Sequence, residues 1–344
     1  PSAQAEGALC SCPVTAEALT GALHAMAQQG NTPFGVYVTS PDYLGGVQEL
    51  PALAAVCRAQ DVPLLVDNAH GAYLRFLPQN CHPIAQGAAM CCDSAHKTLP
   101  VVTGGAYLHL AHDAPVQDEA AVRGALALFG STSPSYLILQ SLDACNAVLE
   151  GDYPRRLVQC CAALEGLRRS LNKAAAARQC PVPLAVAGAQ QEPMKLTLDA
   201  AALGCTGTAL AEAMRRAQME CEYADPRYVV LMFTPENPPQ DYTRLQTVLE
   251  QLLAAVPAGL SRPENRAGEF AALQQQAVQC CTIRQAVLGA QVRIPVHKAL
   301  GRVCAMPTVS CPPAIPVAVS GEEITPAAIA LMQRYGIEEL SVLR

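Results

Sequence analysis

The sequence predicts an α/β fold built on a mostly parallel sheet and followed by a smaller α+β unit, and three observations carry that prediction. Apolar runs of strand length, GVYVTS, VPLLVD and AAMCCDS, are separated by helical segments at the spacing of βαβ units. Each run stops at a polar residue or a proline, and a parallel, doubly wound sheet is the natural way to bury such runs. Beyond Pro181 the pattern changes to short strands alternating with helices, and 344 residues with 51% hydrophobic content can bury more than one core. The expected division is a partial large domain over residues 1–177 and a small domain over 178–344.

From Val14 to Gln28 apolar residues recur at helical spacing, with Thr15 placed to cap the helix and Gly30-Asn31 to end it. GVYVTS then reads as a buried strand ending at Ser40 and Pro41. A helix over about Leu50 to Gln60 leads into VPLLVD, which stops at Asp67, and a short helical HPIAQGA leads into AAMCCDS. After Gly104-Gly105 and the strand AYLHL, helical sequence dominates from about Gln117 to Ala177, broken at Gly130-Ser131-Thr132-Ser133-Pro134. Past Pro181, the segments PLAVAG, MKLTL, MECEYA and YVVLMF read as strands, while TGTALAEAMRRAQ and DYTRLQTVLEQLLAAV read as helices. A helix from about Pro263 to Leu288, a Pro-rich CPPAIPVAVSGEEI and a last helix complete the chain.

The composition excludes some functions. Net charge is -6 and the 23 Lys and Arg form no basic run, which argues against a nucleic-acid partner. No uninterrupted apolar stretch is long enough for a membrane span, and no basic start leads into an apolar segment, so no membrane partner is expected. The 16 cysteines include the vicinal pairs Cys91-Cys92, Cys160-Cys161 and Cys280-Cys281 and show no CxxC spacing. They read as reduced, mostly buried thiols of a cytoplasmic protein, with no metal-ligand set among them.

In open parallel sheets ligands bind beyond the carboxyl ends of the strands, and two such ends here carry unusual polar residues. They are Asp67 in VDNAHGAY and Ser94-Ala95-His96-Lys97 in CDSAHKTL. The 30 positions between Asp67 and Lys97 match one crossover, which would bring both to the same sheet edge. A carboxylate and a lysine so placed suit pyridoxal 5'-phosphate: the amine forms a Schiff base, and the carboxylate keeps the pyridine nitrogen protonated, making the ring an electron sink. His70 and His96 are placed to orient the ring or phosphate or to shuttle protons. Taken singly, each residue has an ordinary alternative: a helix cap for Asp67, a solvated side chain for Lys97, loop-satisfying histidines.

VDNAHGAY, DSAHKTLPVVTGGAY and GSTSPSYLILQSLD together resemble the bacterial ornithine, lysine and arginine decarboxylases of the aspartate-aminotransferase fold, especially the Gram-positive type without a regulatory N-terminal wing. VTSPDYLGG, ECEYADPRYVVLMFTPEN and ALGRVCAMPTVSCPPAIPVAVSGEEI extend the resemblance through most of the chain. The resemblance implies Lys97 as the Schiff-base lysine, Asp67 as partner of the pyridine nitrogen, Ala69 against the ring face, and Ser94 and His96 at the phosphate or ring. It gives His70 a catalytic place that varies within the family. It also implies a homodimer or higher homo-oligomer in which Ser131, Thr132 and Ser133 reach the partner's cofactor phosphate, the alternative being a plain helix break with a Ser-Pro turn.

Residues 1–40 match this pattern only from the segment preceding VTSPDYLGG, and no Gly/Ser/Thr-rich phosphate turn precedes Val14. The chain therefore reads as lacking the opening of the large domain, either as a fragment or as a degenerate member, and the isolated chain is expected to bind the cofactor weakly or not at all. The expected reaction is decarboxylation of arginine, lysine or ornithine to a polyamine or its precursor. The resemblance alone makes Glu322, Glu323 or Asp225 candidates to receive the basic tail of the substrate, against the more ordinary reading of each as a surface acid, and Tyr43 reads equally as a neighbour of the site or as a turn aromatic. An aminotransferase or carbon-carbon lyase is the alternative, with Arg227 or Arg293 as carboxylate clamp. A non-catalytic homologue is a third reading.

Overall fold

The computed structural model describes residues 13–180, 191–257, 278–306, 308–310 and 315–344. Helix α1 (Ala16–Gln28) starts at Thr15, whose side chain accepts from the Ala18 amide. Strand β1 (Val36–Thr39), helix α2 (Leu50–Ala59), β2 (Leu64–Asp67), β3 (Met90–Asp93) and β4 (Tyr107–Leu110) follow, with two 3-10 turns between β2 and β3. The sheet order is β1-β2-β3-β4. Its first three strands are parallel and β4 is antiparallel to β3. The reversal has a simple cause: between Asp93 and Tyr107 lie a single helical turn, α3 (Ala95–Thr98), and a glycine turn with Gly104 at φ +100°, too little chain for a crossover helix.

The sheet has one covered face. Leu19 and Leu23 of α1 and Leu50, Leu53, Ala54 and Cys57 of α2 pack on Val38, Leu64, Val66 and Cys91. Tyr37, Thr39 and Cys92 point to the other face and are exposed, so among the described residues the sheet is wound on one side rather than two.

Helices α4 (Glu119–Phe129), α5 (Tyr136–Glu150) and α6 (Tyr153–Ala177) take up the long helical stretch. It breaks at Gly130–Pro134, as the sequence predicts, and again at Gly151-Asp152, because Pro154 fits the first turn of α6 and nowhere further along a helix. One stripe of α6, Leu157, Cys160, Leu164, Leu167, Leu171 and Ala175, is buried. That stripe joins Tyr73, Leu74, Ala95 and Leu99 to β5 (Lys195–Asp199), β7 (Tyr228–Met232) and α8 (Pro239–Ala255) in one core.

The antiparallel sheet of this second half has the order β5-β7-β6, with β6 at Tyr223–Ala224 and α7 (Gly207–Arg216) packed on it. The strand expected at PLAVAG lies outside the described residues. So does most of the helix expected from Pro263. Its described part begins later than expected: Thr282 caps a short α9 (Ile283–Leu288) through a reciprocal bond with Gln285, and 278–282 are not helical. The chain ends in β8 (Gln291–Pro295), β9 (Thr308–Ser310), β10 (Ile315–Ala318), α10 (Pro326–Arg334) and β11 (Glu339–Leu343), with β8 paired to β11 around a separate small core.

Candidate active site

Asp67 closes β2 and Lys97 sits in the turn of α3 directly after β3, so both lie at the carboxyl ends of adjacent parallel strands. Asp67 is level with Thr39 and Cys92 on the exposed face. Its Oδ1 accepts from the Ala69 amide at 3.0 Å, which folds the chain back after the strand. Burial, followed by the nearby Asp67 and Cys92, raises the Tyr37 hydroxyl to about 12.

That turn delivers His70. Its ring is buried, and its Nε2 lies 3.1 Å from Lys97 Nζ. Burial, then the nearby charges of Lys195 and Lys97, lowers the His70 pKa to about 2. The imidazole is therefore neutral, its Nε2 accepts from Lys97 Nζ, and its proton is left on Nδ1, which is buried without a hydrogen-bond partner. Among the described residues Lys97 makes no ion pair. Its amine is held by a neutral group and is not committed to a carboxylate. Ala95 and Leu99, on either side, are buried in the α6 core and fix the turn. His96 is tied to Gly105 twice, through its amide at 3.2 Å and its Nδ1 at 2.9 Å. Ser94 precedes the turn, half-buried, without a capping bond from its side chain.

Tyr43 lies edge-on to His70 at 5.0 Å between ring centroids, and its hydroxyl donates to Glu222 at 2.9 Å. Lys195 is buried beside it and donates to the carbonyls of Asp42 at 3.0 Å and Tyr43 at 3.4 Å. Burial lowers the Lys195 pKa against the pull of Glu192 and Asp42, and burial raises that of Glu192, which bonds the Tyr73 hydroxyl. Lys195, Glu192 and Glu222 escape a reading of the sequence, although a lysine inside the apolar run MKLTL is a visible signal.

Other expected residues are engaged elsewhere. Ser131, Thr132 and Ser133 are exposed between α4 and α5, where the Ser133 amide donates to Ser131 Oγ. Asp225 is buried in a turn, accepting from the amides of Arg227 and Tyr228 and from the Tyr223 hydroxyl. Glu322 accepts from the Val319 amide. Arg227 pairs with Asp199 and Arg293 with Glu339, each at 2.9 Å.

On the opposite, covered face of the sheet lies a cluster that no motif announced. Asp93 accepts from Asn68 Nδ2 at 2.7 Å, and its Oδ2 meets His82 Nε2 at 3.0 Å and His109 Nε2 at 3.1 Å. Burial pushes the Asp93 carboxyl up, but the bonds from His109, His82 and Asn68 outweigh it and hold the group well below the usual carboxylate range. Gly71 allows this arrangement, since a Cβ there would collide with the Asn68 side chain.

Comparison with known proteins adds the ancestry. Residues 7–240 match the family described as Orn/Lys/Arg decarboxylase, major domain. The chain is 28% identical over 310 residues to an uncharacterized protein of Bacillus subtilis, covering 87% of this chain and 61% of that protein. It is 27% identical over 299 residues to the arginine decarboxylase of Bacillus subtilis, covering 85% of this chain and 59% of that enzyme. The lysine decarboxylase of Francisella novicida superposes with a TM-score of 0.70 at 18% identity, over 95% of this chain and 60% of that one. The chain thus shares the fold of the lysine decarboxylase and spans about 60% of the length of each of these proteins.

Proposed function

The chain belongs to the Orn/Lys/Arg decarboxylase family, and from that premise we propose that it carries part of the site of a pyridoxal-phosphate-dependent decarboxylase of arginine, lysine or ornithine. The observation that carries the proposal is the meeting of Lys97 Nζ with a neutral, buried His70 at the strand ends where Asp67 also lies. An uncommitted amine, a carboxylate on the open face and an unpartnered His70 Nδ1 fit the needs of the cofactor. Bound there, pyridoxal phosphate supplies the electron sink for the bond broken at the substrate Cα.

The chain's own residues have separate tasks. Lys97 provides the amine that attaches the cofactor. His70, too deeply buried to charge, accepts a proton bond from Lys97 without competing for its position. Asp67 would hold a proton on the pyridine nitrogen, its carboxylate fixed by the Ala69 amide. Ala69 would lie against the ring and Ser94 and His96 would hold the phosphate or ring, with His96 anchored on Gly105. The clamp arginine of an aminotransferase has no free candidate in Arg227 or Arg293, which favours carbon dioxide loss over transamination.

We also assign a large-domain segment to residues 1–177 and a small domain to 178–344, the cytoplasm as location and a homodimer as working state. Among the described residues no helix is long and apolar enough to cross a membrane. Support for the dimer is the exposed apolar row Leu126, Leu128, Phe129, Tyr136 and Leu137, which flanks Ser131 to Ser133 and needs a cover. A second copy seated there would receive those hydroxyls at its cofactor phosphate.

The reaction is tested by supplying arginine, lysine and ornithine with pyridoxal phosphate. Carbon dioxide, and not keto acid, is the expected product of turnover, and its release should disappear in Lys97→Ala; keto acid in its place would contradict the proposal.

A further inference from the structure

We propose that His82, Asp93 and His109 form a binding site for a divalent cation of the zinc or cobalt class, opening onto the cavity beside them. The site is separate from Lys97 and stands or falls independently of the reaction proposed above. Both imidazole Nε2 atoms point at one oxygen, Asp93 Oδ2, at 3.0 and 3.1 Å, and the three donor atoms lie within 4.8 Å of one another. Ligands bound to zinc at about 2.0–2.2 Å stand roughly 3.3 Å apart at tetrahedral angles. Admission of the ion requires the carboxylate oxygen to withdraw from the point on which both Nε2 atoms now converge, the ion taking that place.

The same geometry without metal is a proton network, in which each imidazole donates Nε2–H to the carboxylate. In the metal form each proton moves to Nδ1 and frees an Nε2 lone pair. The surroundings favour that exchange. Asn68 Nδ2 already holds the second carboxylate oxygen at 2.7 Å, as the outer partner of a ligating carboxylate does. Cys91 Sγ, 3.7 Å from His82 Nε2 and 3.9 Å from Asp93 Oδ1, lies at the edge of the cluster, outside the three donors that gather within 4.8 Å.

Access is provided too. Asp93 and His82 are 3% and 5% exposed, whereas the His109 side chain is 39% exposed and borders a cavity of about 630 Å³ that Arg75, Asn80 and Tyr107 also line. Ion and water can enter from that side and fill the remaining positions. Two imidazoles beside a carboxylate select zinc, cobalt or nickel over magnesium and calcium. The three ligands come from the loop before a 3-10 turn, the end of β3 and the middle of β4. A bound ion would tie these segments together next to Ser94 and Lys97.

The test is titration of the full chain, free of any polyhistidine tag and treated with chelator, with zinc and with cobalt in the presence of excess magnesium. Binding of one zinc per chain with a rise in melting temperature is expected, and cobalt should develop the visible bands of a low-coordinate site. His109→Gln, at a partly exposed position, and His82→Gln are each expected to weaken zinc binding at least about tenfold. Far-ultraviolet circular dichroism identifies which variant keeps the fold, and either one suffices. Absence of zinc binding by the unaltered chain, or equal binding by a folded variant, would overturn the proposal, the second by placing the ion on cysteines.

Discussion

Lys97 meets His70 across a 3.1 Å bond in surroundings that keep the imidazole uncharged, and this makes a pH signature. The His70 pKa falls from its ordinary 6.5 to about 2 in the folded chain. Below 6.5 the unfolded chain takes up a proton that the folded chain refuses. This contribution to stability is therefore whole above 6.5 and declines as pH falls toward the folded value. His70→Asn should remove up to about 1.4 kcal/mol per pH unit of that decline. Urea unfolding of the cofactor-free chain at a series of pH values below 6.5 measures it, and an unchanged slope in the variant would contradict a buried neutral His70. The residues of this centre are legible in the sequence because Asp67, His70 and Lys97 follow strand-like runs within short motifs. Lys195 and the Asp93 cluster are not, since their partners meet across folded space: Lys195 reaches the Asp42 carbonyl over 153 positions. His82 and His109 come together because β4 turns back along β3.

Helices α4 and α5 frame the segment Ser131 to Ser133, and their facing sides show what an element can reveal that a motif cannot. Phe129 and Tyr136 are 92% and 86% exposed at the two ends of that break. Covering a large aromatic side chain of this kind is worth roughly 1.5–3 kcal/mol, enough for a few such residues to hold an interface. Phe129→Glu should shift the proposed dimer to monomer in light scattering while leaving the circular dichroism unchanged, since the side chain has little packing to lose. A variant that stays dimeric, or an unaltered chain that is monomeric, would contradict this interface. At this scale the strand runs and most helices are read directly from periodicity. The direction of β4 is not, because the length of the connection decides it and not the strand's composition. The pairing of β8 with β11 is likewise hidden, for it joins a charged ELSVL to QVRIP across the intervening helix α10.

Across the whole molecule, one helix joins the halves: α6 packs Tyr73, Ala95 and Leu99 from the Lys97 side in the same core as β5, β7 and α8. The strand ends that present Asp67 and Lys97 are thereby braced from behind, while the face carrying Asp67 remains open among the described residues. The family pattern makes this architecture legible at the motif level, and the α/β order makes it legible at the level of periodicity. The sharing of one core between the two halves is not, because it depends on which stripe of α6 turns inward. The central claim, that Lys97 is the attachment point, is tested most directly by incubating the chain with excess pyridoxal phosphate, reducing with borohydride and mapping the modified peptide by mass spectrometry. The added mass is expected on the peptide containing Lys97, and to vanish from it in Lys97→Arg. Labelling centred on Lys195 or another lysine would contradict the claim.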